Sequence, residues 1–160
     1  MEGSSQIPFE GRRTAPLDCG TQLPDHWRLA RAAHVDLLLM GMPRTNLLLI
    51  APDDVVHYVL QSLMPDLWEP VTRWSAGDAL TLPPAASGGT LVLHDVHALT
   101  IRDQRRLLEW MERTKGRNQV VSTTSSPLLA RVNQGEFIAT LFYRLNTVCV
   151  DVTRLEELPS

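Results

Sequence analysis

Three titratable side chains crowd the end of an apolar run in GGTLVLHDVHAL, residues 88 to 99: His94, Asp95 and His97. A carboxylate at the end of a strand can polarise water for attack, provided that a substrate is held beside it. Two imidazoles and a carboxylate can also ligate a metal. In an extended segment, however, residues 94 and 97 face opposite sides, and no cysteine or further histidine stands nearby, so a polar strand end without metal is expected. Hydroxyls gather at Ser122 to Ser126, where they can line a small polar pocket or cap the next helix, Ser126 before Pro127 being suited to capping. Arg102, Arg105, Arg106, Arg113, Lys115 and Arg117 give one segment a basic bias that Asp103, Glu109 and Glu112 dilute, which favours a solvated helix face over a nucleic-acid surface. Trp68 and Trp74 flank a strand and suit either the core or a partner. No serine, cysteine or histidine triad emerges, and Cys149 in an apolar strand reads as packing.

These groups need a scaffold, and the composition sets its size. With 160 residues, 44% of them apolar, the chain has the mass of one domain around one core. A net charge of -3 gives no overall attraction to nucleic acid or anionic lipid. Cys19 and Cys149 are too few for a disulfide framework or a thiolate metal site, which fits a reducing cytoplasm. The opening MEGSSQIPFEGRR lacks the order of a signal peptide, and VDLLLMGMPRTNLLLIA is interrupted by Pro43, Arg44 and Asn46 before it can span a bilayer. A cytoplasmic protein with no membrane segment is expected.

The elements follow in a regular order. Residues 1–23 are rich in glycine, serine and proline and read as an arm, 24–153 as the core domain, and 154–160 as a tail. Helical spacing of Trp27, Ala30, Ala33, Leu37 and Leu38 predicts a first helix from Asp25 to about Met42. NLLLIA, residues 46 to 51, has the wholly apolar character of a strand buried on both faces; Pro52 ends it. Asp53 and Asp54 begin a helix with an apolar stripe of Val55, Val56, Val59, Leu60 and Leu63, and a strand follows at residues 70 to 75. After a loop rich in proline and glycine, a strand is predicted over Thr90 to Val96. Thr100 and Asp103 resemble a capping box for a helix that buries Gln104, Leu107, Leu108 and Met111 and closes at Gly116. A strand over 119–123, helices over 127–133 and 136–145, and a strand over 147–152 complete the chain. Apolar strands alternating with helices predict a three-layer αβα sandwich around a mainly parallel sheet of about five strands, with any ligand off the carboxyl ends, after Ala51, Leu93 and Thr123.

On these residues the chain resembles a known family. GGTLVLHDVHALTIRDQRRLLEWMER is similar to the second nucleotide motif and following helix of the AAA+ domain of sigma-54-dependent transcriptional activators, usually GGTLFLDE before a leucine-rich helix. VVSTTSSPL resembles that family's sensor strand, normally ending in ATN, and FIATLFYRLNTVCVDV its FREDLYYRLN segment and last core strand. The resemblance runs continuously from about Gly88 to Val152. It implies a P-loop NTPase core of the AAA+ type and a bacterial protein of transcription control.

The same resemblance marks the residues the family's chemistry would need. A phosphate cradle takes glycines with converging amides, a lysine and a magnesium-binding hydroxyl at a helix N-terminus. The matching stretch, IAPDDVVHYVL, has no glycine, lysine, serine or threonine. His57 falls near the lysine position, and Pro52, Asp53 and Asp54 stand where phosphates would lie, the two carboxylates serving as cap and counter-charge for the helix. Each repulsive contact with a triphosphate costs on the order of 1 kcal/mol in water and more in a drier site. His94 and Asp95 replace the magnesium-organising Asp and water-activating Glu, Ser125 replaces the sensor Asn, and Ile138 replaces the first arginine, the trans-acting finger, while Arg144 keeps the second. The segment from Ala51 to Thr90 has no GAFTGA-like loop, and the chain ends just beyond the last core strand, so neither a helical lid nor a DNA-binding helix-turn-helix is expected.

The resemblance therefore implies a catalytically inactive AAA+ core that binds no cofactor and works through a protein partner, such as an active AAA+ relative or another transcription regulator, with no nucleic acid bound directly. The alternative is a weak ATPase using ATP and magnesium, in which Asp95 and Arg144 act with an unconventional cradle.

Overall fold

The computed structural model describes residues 45–152. The expected arm over 1–23, the helix over 25–42 and the tail over 154–160 lie outside them.

Within the described residues the strands are β1 (Leu47–Ile50), β2 (Val71–Trp74), β3 (Gly89–Leu93), β4 (Asn118–Thr124) and β5 (Val148–Asp151). They form one sheet in the order β2-β3-β4-β1-β5, with every pairing parallel. The helices are α1 (Asp53–Leu63), α2 (Ile101–Thr114), α3 (Leu129–Asn133) and α4 (Ala139–Leu145). Because side chains alternate along a strand, Leu47 and Leu49 of β1 pack with the α1 stripe, whereas Leu48 and Ile50 join the cluster of α2 and α4. Both faces of the sheet are thus covered, which is why all four β1 residues are buried. The expected three-layer α/β sandwich is the architecture found. Connections that leave β1 and β4 turn to opposite faces, so these neighbours define the switch point where such sheets open a crevice.

The α1 stripe is buried as its spacing predicts. In α2, Thr100 accepts the Asp103 N–H at 3.1 Å, and Lys115 (φ 48°) and Gly116 (φ 74°) close the helix in left-handed conformations. Three boundaries and two burials differ from expectation. β3 stops at Leu93 rather than Val96, because Asp95 turns left-handed (φ 54°, ψ 54°) and residues 96–98 form a 3-10 turn. Trp110 takes the core place expected of Leu108, which is half-buried. The last two helices start later than their patterns suggest, at Leu129 and Ala139. Cys149 is exposed on edge strand β5 rather than packed.

The GGT that opens β3 is structural. Gly89 (φ 96°) lies so near Pro70 that an added Cβ would fall 2.2 Å from the Pro70 carbonyl oxygen, and the next amide, Thr90 N–H, donates to that oxygen at 3.0 Å. This contact joins β2 to β3 at the amino edge of the sheet, the end opposite the expected site.

Candidate functional site

The carboxyl ends of β1, β3 and β4 bring together Pro52, Asp53, Asp54, His94, Asp95, His97 and Ser125. Only Ala51 and Pro52 separate β1 from α1. The Ala51 N–H donates to the Thr124 carbonyl at 3.0 Å, bridging β1 and β4 across the switch point, and proline has no N–H. Both amides that a turn of this length can present are therefore unavailable to an anion. Pro52 is itself the N-cap of α1, and its carbonyl accepts from Val55 and Val56 at 3.0 and 2.9 Å. No side chain caps this helix, which corrects the expectation that Asp53 or Asp54 would do so. They occupy its first turn, exposed, where their charges oppose the positive end of the helix dipole. His57 sits a full turn further along, exposed, with its ring edge-on to Tyr58 at 6.2 Å between centroids. It lies away from the helix start that a phosphate-neutralising group would occupy.

Across the crevice, the turn after β3 is tied to β4. The Asp95 N–H donates to Thr123 Oγ1 at 3.3 Å, and His94 N–H donates to the Trp74 carbonyl at 2.9 Å. His97 Nδ1 lies 3.1 Å from Thr124 Oγ1. That hydroxyl donates to the Ser126 carbonyl at 2.8 Å and accepts the Ser126 N–H at 3.3 Å. A hydroxyl has one proton, so His97 Nδ1 must carry the hydrogen of the third bond, and the hydroxyl's two lone pairs are then filled. The fully buried Thr124, rather than Ser126, organises the turn before α3, whose N-cap Leu128 makes no side-chain cap. Ser125 is exposed at the crest of that turn. The left-handed Asp95 also removes the premise that residues 94 to 97 are extended. Among the described residues, even so, no three His, Cys, Asp or Glu side chains converge as metal ligands.

Arg144 stands apart from this group. Its carbonyl accepts from Asn46 Nδ2 at 3.0 Å and from Thr147 Oγ1 at 3.1 Å, which places it at the amino edge, and its guanidinium pairs with Glu112 at 3.5 Å. Within one chain it cannot serve the same centre as Asp95. Ile138, where the family's first arginine would be, packs against the core, and its N–H donates to Gln104 Oε1 at 2.8 Å.

Gln104 is a site-building residue that periodicity marked only as apolar-face. It is 1% exposed, and its side-chain amide nitrogen, Nε2, donates to the carbonyls of Leu99 and Glu136 at 3.0 and 3.1 Å. Asn46 is another: its Oδ1 accepts from Val120 N–H at 2.9 Å, linking β1, β4 and the end of α4. Neither role has a local signal, since each partner is distant in sequence. Of the basic residues on α2, Arg106 pairs with Asp103 at 3.1 Å and donates to the Leu80 carbonyl at 3.3 Å. Trp74 and Trp110 donate to the carbonyls of Asp78 and Pro83, anchoring the loop between β2 and β3; Trp68 is half-buried.

Comparison with known proteins follows this geometry. The family model described as the Sigma-54 interaction domain matches residues 59–155, a segment that begins inside α1, after the short turn. The transcriptional regulatory protein ZraR of Escherichia coli (strain K12) is 35% identical over 83 residues, covering 45% of this chain and 19% of that protein. A crystal structure of NtrX from Brucella abortus in complex with ADP superposes with a TM-score of 0.57 at 16% identity, over 80% of this chain and 35% of that one. The P-loop NTPase domain of the sigma-54 transport activator from E. coli gives a TM-score of 0.52 at 14% identity, over 80% of this chain and 97% of that one. The structural likenesses show the P-loop NTPase fold. The chain spans about a fifth of ZraR and about a third of NtrX. No helix of the described residues is long and apolar enough to cross a membrane.

Proposed function

The chain belongs to the sigma-54 interaction domain family, and from that premise we propose that it is an AAA+ core of transcription regulation that does not turn over ATP and acts by binding another protein. The observation that carries this reading is the turn between β1 and α1. Phosphate cradles present several convergent amides and a lysine at a helix start. Here the Ala51 amide is bonded to Thr124, Pro52 has none, and the next two residues bring carboxylates. A polyanion placed there meets two carboxylates beside the few first-turn amides of α1, without the turn amides and the lysine, and each lost charge-assisted bond forfeits about 1.5–3 kcal/mol. Asp95 remains at the end of β3, but a general base accelerates nothing without a positioned substrate.

The partner fitting this reading is a protein: an active AAA+ relative or another transcription regulator. Calorimetric titration with magnesium-ATP and magnesium-ADP tests the first half, and no binding in the micromolar range is expected. Micromolar binding with magnesium-dependent phosphate release that Asp95→Ala abolishes would establish a weak ATPase and overturn the proposal. For the second half, adding the chain to an active relative from the same host is expected to change that relative's ATPase rate or assembly state.

A further inference from the structure

At the amino edge of the sheet, the first residue of β4 presents an anomaly. Asn118 is 5% exposed, yet neither its Nδ2 nor its Oδ1 has a hydrogen-bond partner. Buried amides are almost always paired, because an unmade bond leaves the full desolvation cost standing. Asn118 lines a cleft of about 190 Å³ between the end of α2, the start of β4 and the end of α4. Met111 and Val120 give it apolar wall, while Thr114, Thr147 and Arg144 give it polar rim.

The available atoms define what fits. Both threonine hydroxyls direct their protons to backbone carbonyls, Thr114 to Met111 at 3.0 Å and Thr147 to Arg144 at 3.1 Å, which leaves them as acceptors. Asn118 adds one donor group and one acceptor. At the rim, the Arg144 guanidinium forms a loose 3.5 Å pair with the carboxylate of Glu112, which lies just beyond the residues that line the cleft, the two side chains being 42% and 53% exposed. Such a pair is held by a small net free energy and opens readily to other ions. A cation beside an anion at the rim, with an unpaired amide behind, complements a zwitterion whose side chain ends in hydrogen-bonding groups. The volume corresponds to about six waters, or to a ligand of roughly ten non-hydrogen atoms, and lies below the ~300 Å³ at which pockets begin to take drug-sized molecules. A nucleotide is too large.

We propose that this cleft binds a free polar α-amino acid, its carboxylate on Arg144, its ammonium group towards Glu112, and its side-chain amide or hydroxyl on Asn118. The site is independent of the carboxyl edge and of whether nucleotide binds there.

Calorimetric titration of the whole chain with L-glutamine, L-asparagine, L-serine and L-threonine tests it, with L-leucine and acetamide as controls. At least one polar amino acid is expected to bind once per chain with a submillimolar Kd and to raise Tm, while both controls fail. Asn118→Leu, of similar volume, is expected to keep or raise the Tm of the ligand-free protein and to abolish the ligand-induced shift. Arg144→Gln, at an exposed position, is expected to weaken binding at least about tenfold. Absence of binding throughout the millimolar range would mean that the cleft holds water alone and would overturn the proposal. So would binding that survives both substitutions, or a marked drop in Tm for Asn118→Leu, which would show the amide to be structurally satisfied.

Discussion

The two ends of the same five strands have been used in opposite ways. At the carboxyl edge, where relatives of this fold place their chemistry, the groups of the three strand ends are bonded to one another: Ala51 to Thr124, His97 to Thr124, Thr124 to Ser126, Asp95 to Thr123. At the amino edge, Gly89 and Asn46 lock strands together, but the Asn118 amide, opposite Gly89 in the β3–β4 register, is left unpaired beside a cleft. Capacity to bind a ligand depends on unfilled donors and acceptors, and at Asn118 an unfilled pair lines a cleft at the end the family resemblance does not point to. A satisfied edge confers stability; an unsatisfied one confers receptivity at a cost in stability.

Substitutions at the two edges can break that contrast. The largest effect is expected for Gly89→Ala, whose methyl group would enter the Pro70 carbonyl while the backbone holds a left-handed φ. A loss of about 3 kcal/mol or more in urea denaturation is expected, and a loss under 1 would show the β2–β3 junction to be pliable. Next comes Gln104→Leu, which keeps the volume but strands the Ile138 N–H and two carbonyls. About 2–3 kcal/mol should disappear, with the segment before α4 losing amide-exchange protection first.

Thr124→Val probes the carboxyl edge itself. Removing the hydroxyl unpairs His97 and the Ser126 amide, so about 1–2 kcal/mol should be lost, and the His97 ring should show increased mobility by NMR. Were the protein unaffected, the closed network would be incidental and the contrast between the edges would weaken. The double variant Asp53→Asn/Asp54→Asn removes charge from the start of α1, at a cost of about 1 kcal/mol from the helix dipole. Because Ala51 and Pro52 still offer no amide, it is expected to remain unable to bind ATP in the micromolar range. Binding by this variant alone would assign the proposed loss of nucleotide to charge repulsion rather than to the turn amides. The smallest effect is expected for Glu112→Gln, under about 0.5 kcal/mol, as befits an exposed pair.

Much of the architecture was legible along the chain because it rests on local periodicity. NLLLIA announced a strand covered on both faces, the Val55 to Leu63 stripe a helix lying on it, and Thr100 with Asp103 the start of α2. The absence of glycine and lysine after β1 was equally plain. What pattern could not show was the left-handed turn at Asp95, which ends β3 early and carries His97 to Thr124, since aspartate tolerates positive φ but only the bonds to distant segments select it here.

By itself, then, the sequence determined which segments are strands and helices, that both sheet faces are buried, and that a lysine-bearing phosphate loop is missing. Only the tertiary structure decided that the Ala51 amide is bonded to Thr124, that Gln104 holds the segment before α4, that Arg144 lies at the opposite edge from Asp95, and that Asn118 is buried without a partner. The division has one physical cause. Periodic burial is written within single segments, whereas satisfaction of a polar group depends on which atom of a distant segment arrives within hydrogen-bonding distance.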